Sequence, residues 1–289
     1  MNIVVAGAGG LLGRAFVAGA GKNKVIAVGR GELDVSDPLK VIEIPASRKA
    51  DILINCAADT DVEGAESNPE RSYAVNAVLP KLLAEGCSRV GTMMVQISST
   101  GCYGDWKTSP YTEEDELRPT TVHHKSKALG ESAVRAKAGR WMILRTGWLY
   151  GALSSGQKNF VLDRLREARV SEFLLANASQ RGNPTFVGDV AKQAYHLLKL
   201  GQIGTFNCVA HGQATRRDYV EAIVRGAGFS TCVDAAPENY FSRRAAVSPN
   251  EAAENARLMG AGIDVMPEWR DALAAFVENL PSRLKAPDA

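Results

Sequence analysis

Cysteine is scarce in this 289-residue sequence. The five residues, Cys56, Cys87, Cys102, Cys208 and Cys232, are scattered, odd in number and without CxxC spacing. That argues against a disulfide framework and a structural zinc, and it fits a reducing compartment, so a cytoplasmic protein is expected. Each thiol reads as a small apolar core residue. Charge of one sign is also lacking: the net charge is +2, which leaves no electrostatic footprint for nucleic acid. No apolar run reaches membrane-spanning length, so no membrane role is expected. There is no internal repeat, no low-complexity tract and no signal-peptide pattern, and the first residues lead directly into a strand. What is present is an ordinary globular composition, 45% hydrophobic and 23% charged, in a chain long enough for one large or two modest domains.

The chain is organised around its first thirteen residues, MNIVVAGAGGLLG. Ile3 to Ala6 is a short apolar, β-branched run. Gly7, Gly10 and Gly13 follow, and then the apolar-periodic Leu11, Leu12, Phe16 and Val17. This reads as a buried strand, a tight turn and a helix packed closely on the strand. Glycine permits the turn, bare backbone lets a pyrophosphate approach, and the amides and dipole at the helix start hold that anion. The spacing is GxxGxxG rather than GxGxxG, and its place after an N-terminal strand makes it a dinucleotide site.

A second strand, Lys24 to Val28, ends in Gly29-Arg30-Gly31. An acidic residue at this tip would bind the adenosine ribose 2′-hydroxyl and repel a 2′-phosphate; the tip carries Arg30 instead, which favours NADP over NAD. Ser36 or Asp37 caps a helix with Pro38 in its first turn. Further buried strands are expected at Asp51–Asn55, Val90–Ser99 and Trp141–Leu144. Helices are expected from Glu63 to Leu83 and from Thr121 to Ala138. The third strand ends in Cys56-Ala57-Ala58, where small side chains leave room for a nucleotide at the carboxyl end of a sheet. The fourth ends in Ser98-Ser99-Thr100, hydroxyls placed to bond a substrate oxygen. Spacing i, i+4 puts His123 and Lys127 on one helix face. This alternation predicts an α/β fold: a Rossmann-type doubly wound parallel sheet with a smaller mixed α/β substrate-binding region. The expected boundaries are 1–150 plus 187–209 for dinucleotide binding, with Gly204 to Val209 rejoining the sheet, and 151–186 plus 210–289 for substrate. The least regular stretches, Gly151 to Pro184 and His211 to Pro267, should choose the substrate. The tail from Lys285 to Ala289 is expected to fray.

The motifs together resemble the extended short-chain dehydrogenase/reductase superfamily, and within it the dTDP-4-dehydrorhamnose reductase family, over nearly the whole chain. They are GAGGLLG, RGELDVSD, NCAADTDVEGAES from Asn55, YAVNA at Tyr73, SSTGCYG at Ser98, PYTEEDELRPT at Pro110, KSKALGE at Lys125, RTGWLYG at Arg145, NF at Asn159 and QRGNPT at Gln180. The resemblance implies a reductase of a nucleotide-activated keto sugar that uses NADP(H), with NAD(H) as the alternative. Its cofactor set would be Gly7, Gly10, Leu11, Leu12, Gly13, Arg30, Asp34, Val35, Ala57, Ala58, Thr60, Asn76 and Lys127. Ser99 would bond the substrate carbonyl, with Thr100 and Trp148 near the sugar, and Lys127 would hold the nicotinamide ribose. A homodimer is one expected assembly. No metal is expected, because His124 faces elsewhere and no carboxylate cluster accompanies the histidines.

The departure falls on the family's proton donor. Where the family pattern reads YGxSK, this chain reads His123-His124-Lys125-Ser126-Lys127. A histidine titrates near 6.5 against about 10 for tyrosine, and Lys127 one turn away lowers it further. Its ring nitrogen also reaches about 2 Å less far, and a misplacement of about 1 Å can cost on the order of a hundredfold. His123 as a slower or repositioned catalytic group, Tyr103 as a substitute donor, a catalytically inactive NADP-binding regulatory subunit, and epimerase or dehydratase chemistry all remain open from the sequence.

Overall fold

The computed structural model describes residues 1–151, 159–238 and 240–286. Part of the Gly151 to Pro184 stretch, one residue of the His211 to Pro267 stretch, and the last three residues of the tail lie outside the described residues.

Six parallel strands form the central sheet: β1 (Asn2–Ala6), β2 (Lys24–Val28), β3 (Ile52–Asn55), β4 (Met93–Ser99), β5 (Arg140–Thr146) and β6 (Gly204–Asn207), in the spatial order β6-β5-β4-β3-β1-β2. The expected return of the chain to the sheet is therefore made by β6 along β5. The inner strands are apolar on both faces because both are covered. Ile3, Val5, Ile54 and Val95 pack with Phe16, Val190 and Leu197 on one side. Val4, Ala6, Leu53 and Met94 pack with Val41, Leu83 and Val134 on the other. The flanking helices are α1 (Leu11–Gly19), α2 (Pro38–Ser47), α3 (Leu79–Val90) and α4 (Val122–Lys137). Asp37 caps α2 by accepting from Lys40 N, with Pro38 next to it.

Three boundaries differ from the sequence reading. The single helix expected over Glu63 to Leu83 is broken into Val62–Ser67, Pro69–Tyr73 and a π-turn at Ala74–Val78 before α3 begins. Proline cannot continue a hydrogen-bonded helix, so Asn68 caps afresh ahead of Pro69. Helix α3 runs on to Val90 and stops at Gly91 with φ +72, so β4 starts at Met93 rather than at Val90.

Beyond β5, α5 (Phe160–Ala168) opens a second group of elements, α6 (Val187–Lys199) returns to pack on α1 and one face of the sheet, and α7 (Arg216–Gly226) and α8 (Trp269–Glu278) complete the second group. Two-stranded ribbons tie it together, Arg181–Gly182 with Ala214–Thr215 and Phe173–Ala176 with Cys232–Ala235. Its apolar core is aromatic, with Tyr150, Tyr219 and Trp269 at the centre. Leu258 and Met266, from a stretch the sequence groups with this region, pack instead beside the sheet.

The strand order reverses between β1 and β3: the chain leaves β1 for β2 on one side and returns with β3 on the other. A crevice opens beyond the carboxyl ends of these strands, the position at which open α/β sheets take ligands.

Candidate active site

The glycines after β1 form the floor of that crevice. Gly7 has φ +74, and a Cβ there would lie 2.6 Å from Ala57 N. A Cβ on Gly13 would lie 2.3 Å from the Gly7 carbonyl, so α1 sits directly on the turn. Gly10 caps α1 with no side chain involved, and nothing lies within 4 Å of where a Gly9 Cβ would point. The helix N-terminus is thus presented bare, the arrangement that receives a phosphate. Arg30, Leu33, Ala57 and Ala58 line the same crevice. Glu32 is turned away from it: its carboxylate pairs with Arg48 at 2.5 Å and accepts from Gly29 N. Among the described residues no carboxylate pairs with Arg30.

Leu11, Leu12, Ala58 and Thr60 continue the crevice to the ends of β4 and α4, where Ser99, His123 and Lys127 meet. Ser99 Oγ accepts from Gly101 N at 3.2 Å, so its own proton is free to point outward. Lys127 is buried, and its Nζ donates to the Ile97 carbonyl at 2.6 Å; burial lowers its pKa. His123 is 6% exposed and its Nδ1 has no partner. Burial pulls its pKa down to about 3, with further lowering from His124 and Lys127 and a smaller opposing pull from Asp59. It is therefore a neutral imidazole at any ordinary pH.

Beyond Ser99 the cleft turns into a second groove. Trp148 forms the corner with φ +43, a left-handed conformation that a bulky residue adopts only under constraint. Its indole Nε1 donates to Glu251 Oε2 at 2.8 Å, and the Arg216 guanidinium stacks 3.4 Å above its ring. Thr100, His124, Arg243 and Glu251 line the groove here. It runs on past Gln180 to a basic cavity of about 380 Å³ bearing Arg164, Arg216 and Arg243, within the usual size of ligand pockets.

Four residues named from the sequence do not line the cleft. Gly13 lies beneath the turn, against the Gly7 carbonyl. Asp34 is occupied by its own turn, accepting from the Ser36 amide at 2.9 Å and hydroxyl at 2.8 Å, which hold its carboxyl below the usual range. Val35 packs into the core. Asn76 is buried one layer back: its side chain accepts from Asp59 N and donates to Asp59 O, pinning the loop that carries Ala57, Ala58 and Thr60. Tyr103 is excluded as a substitute donor. It is fully buried, stacked on Tyr111, with its hydroxyl between Asn207 and Arg145 and its pKa pushed up to about 12. The sequence missed His124, Glu251, Arg216 and Arg243. Only the adjacency of two histidines could have flagged His124, and it does not face elsewhere: the two rings lie 4.9 Å apart on neighbouring walls of one cleft. Among the described residues no cluster of His, Cys, Asp or Glu is arranged to hold a metal, and no helix is long and apolar enough to cross a membrane.

Comparison with known proteins gives a consistent answer. Residues 1–282 match the family described as RmlD substrate binding domain. The dTDP-4-dehydrorhamnose reductase of Mycobacterium tuberculosis (strain H37Rv) is 34% identical over 284 residues, covering 94% of this chain and 91% of that protein. A crystal structure of a dTDP-4-dehydrorhamnose reductase from Clostridium acetobutylicum superposes with a TM-score of 0.91 at 30% identity, covering 96% of this chain and 99% of that one. The enzyme of that name from Bacillus anthracis, solved in complex with NADP, gives the same TM-score at 25% identity over 96% and 99% of the two chains. The chain therefore belongs to the RmlD substrate binding domain family.

Proposed function

We propose that this protein is an NADP-dependent reductase of a dTDP-activated 4-keto sugar. The observation that carries the reading is the meeting of two grooves at Ser99: a glycine-floored crevice ending at Lys127 on one side, and a groove bearing Arg216 and Arg243 on the other. The first suits a dinucleotide with its nicotinamide near Lys127, and the second a sugar nucleotide with its diphosphate among the arginines. Relatives named for this reaction, one of them solved with NADP, support the same assignment. Residues 1–150 with 187–209 hold the cofactor in this account, and 151–186 with 210–289 hold the sugar nucleotide.

Bound NADPH supplies the hydride. The protein positions the partners and manages charge on the carbonyl oxygen. Lys127 orients the nicotinamide ribose, its ammonium held in place by the Ile97 carbonyl. Ser99 donates a hydrogen bond to the carbonyl oxygen. His123 polarises the same oxygen as a neutral N–H donor, which adds stabilisation without giving up a proton. Arg30 at the tip of β2 receives the 2′-phosphate.

The test is consumption of NADPH by the purified protein with a panel of dTDP-4-keto sugars, followed by nicotinamide absorbance, with cofactor binding shown separately. Turnover supports the reading. Binding without consumption across the panel supports a catalytically silent NADP-binding subunit, a second reading favoured by the neutral His123. Interconversion of sugars without net consumption points to epimerase or dehydratase chemistry.

A further inference from the structure

A neutral imidazole at His123 leaves the reduction without a proton source, because a ketone that accepts a hydride must also gain a proton on oxygen. Two buried ionisable groups line the groove just beyond Ser99. His124 comes from α4 and is 5% exposed; Glu251 comes from the strap ahead of the Ala256–Gly260 helix and is 8% exposed. His124 Nε2 and Glu251 Oε1 are 3.9 Å apart, too far to bond each other directly. An oxygen atom about 2.8 Å from each would stand at the apex of a triangle on that base, in the groove both residues line.

Both side chains are aimed at that point by a second partner. Thr121 Oγ1 accepts from the His124 backbone N–H at 3.1 Å and lies 3.0 Å from the ring Nδ1. With the ring proton on Nε2, facing Glu251 and the groove, the hydroxyl donates to Nδ1. Glu251 Oε2 is taken by the Trp148 indole, which leaves Oε1 for a ligand. Gly101 makes room for the imidazole: a Cβ there would lie 2.2 Å from the His124 ring. The same Gly101 donates its N–H to Ser99 Oγ, so the ring lies one residue from the hydroxyl that holds the carbonyl.

Resting on the reductase reading above, we infer that His124 and Glu251 together supply the proton to the reduced carbonyl oxygen. The electron pair arriving at the carbonyl carbon as hydride displaces the C=O π pair onto oxygen, and that oxygen takes the one proton the pair shares. The pair is left as neutral imidazole and carboxylate and regains a proton from water. Burial favours this loaded state. It raises the Glu251 carboxyl above its usual range, against the pull of Arg216, and lowers His124 to about 4, so both shifts favour the shared proton on the carboxyl over the imidazole. The charged groups facing the pair are Lys127 on α4, Arg216 on α7, Arg243 on the strap, and Asp61 and Glu63 across the groove, and the neutral ring of His123 lies beside His124.

The test uses Glu251→Gln and His124→Gln, which keep hydrogen-bonding shape without a transferable proton, and Gly101→Ala, which displaces the ring without altering either group. Expected is a fall in kcat of about a hundredfold or more, with KM and the NADPH dissociation constant within threefold. In the native protein kcat falls as pH rises through the pair's titration; in both glutamine variants that alkaline limb is lost. Nitrogen-15 NMR of the substrate-free protein should show His124 Nδ1 unprotonated and Nε2 protonated, a readout independent of turnover. Should His124→Gln not fold, the near-isosteric Glu251→Gln decides alone. Native turnover with kcat and alkaline limb retained in the glutamine variants overturns this inference and leaves the reductase reading standing, as does an Nδ1-protonated His124. A native protein that binds NADPH and consumes none overturns both.

Discussion

Removing the Arg30 side chain separates the two nicotinamide cofactors. Arg30 stands at the end of β2 where both halves of the cofactor crevice meet. It has no acidic partner among the described residues, and the nearby Glu32 is committed to Arg48. A hydrogen bond to a charged group contributes about 1.5–3 kcal/mol, and the exposure of Arg30 places the expected loss toward the lower part of that range. Arg30→Ala should therefore weaken NADPH binding by about 12- to 45-fold, while NADH, which lacks the 2′-phosphate, changes by less than about twofold. The difference should shrink as salt is raised, because the contact is solvent-exposed. Titration of each cofactor by tryptophan fluorescence or calorimetry measures both constants. Equal weakening of the two, or no change in either, would refute the assignment of Arg30 to the 2′-phosphate and with it the preference for NADP.

Three other outcomes follow from particular contacts. Ser99→Ala removes the hydroxyl at the meeting of the grooves, and steady-state kinetics should show kcat reduced by about 10²–10³-fold with NADPH affinity unchanged. Glu131→Gln breaks a fully buried bidentate pair, in which Arg145 donates at 3.0 and 2.8 Å to the two carboxylate oxygens, and urea unfolding should report a loss of about 3–5 kcal/mol. Stability should also fall with pH below about 6.5. His123 and His124 are held neutral down to about 3 and 4 in the fold, whereas the unfolded chain takes up those protons near 6.5. Each should contribute a slope of about 1.4 kcal/mol per pH unit until its folded pKa is reached. Glu131, lowered by Arg145 against its burial, adds a loss in the same direction once pH drops below the ordinary glutamate range. Urea midpoints across pH 7 to pH 4, compared with a His123→Phe variant of shallower slope, check the sign.

Much of the fold was legible because it depends on local pattern. The apolar runs of β1, β3 and β4 read as buried strands, and Gly7 is required by a positive φ and by the proximity of Ala57. The break at Pro69 is signalled by the proline itself, but the π-turn at Ala74–Val78 is not: it is part of the segment that lets Asn76 reach back to Asp59, a tertiary demand that propensity does not encode. The cleft divides in the same way. Ser99, His123 and Lys127 lie on two neighbouring elements whose motifs announce them. Glu251 and Arg216 arrive from distant segments of irregular sequence, and only the folded chain brings them to His124 and Trp148. Asp34 shows the converse: a residue within a familiar motif can be used up by its own turn.

The most direct measurement follows deuterium from the transferable position of labelled NADPH into a dTDP-4-keto sugar incubated with the purified protein, with mass spectrometry of the sugar product. The account predicts one deuterium retained on the carbon that was the ketone, with one NADPH oxidised for each sugar reduced. An unlabelled sugar recovered beside bound but unoxidised cofactor would contradict it.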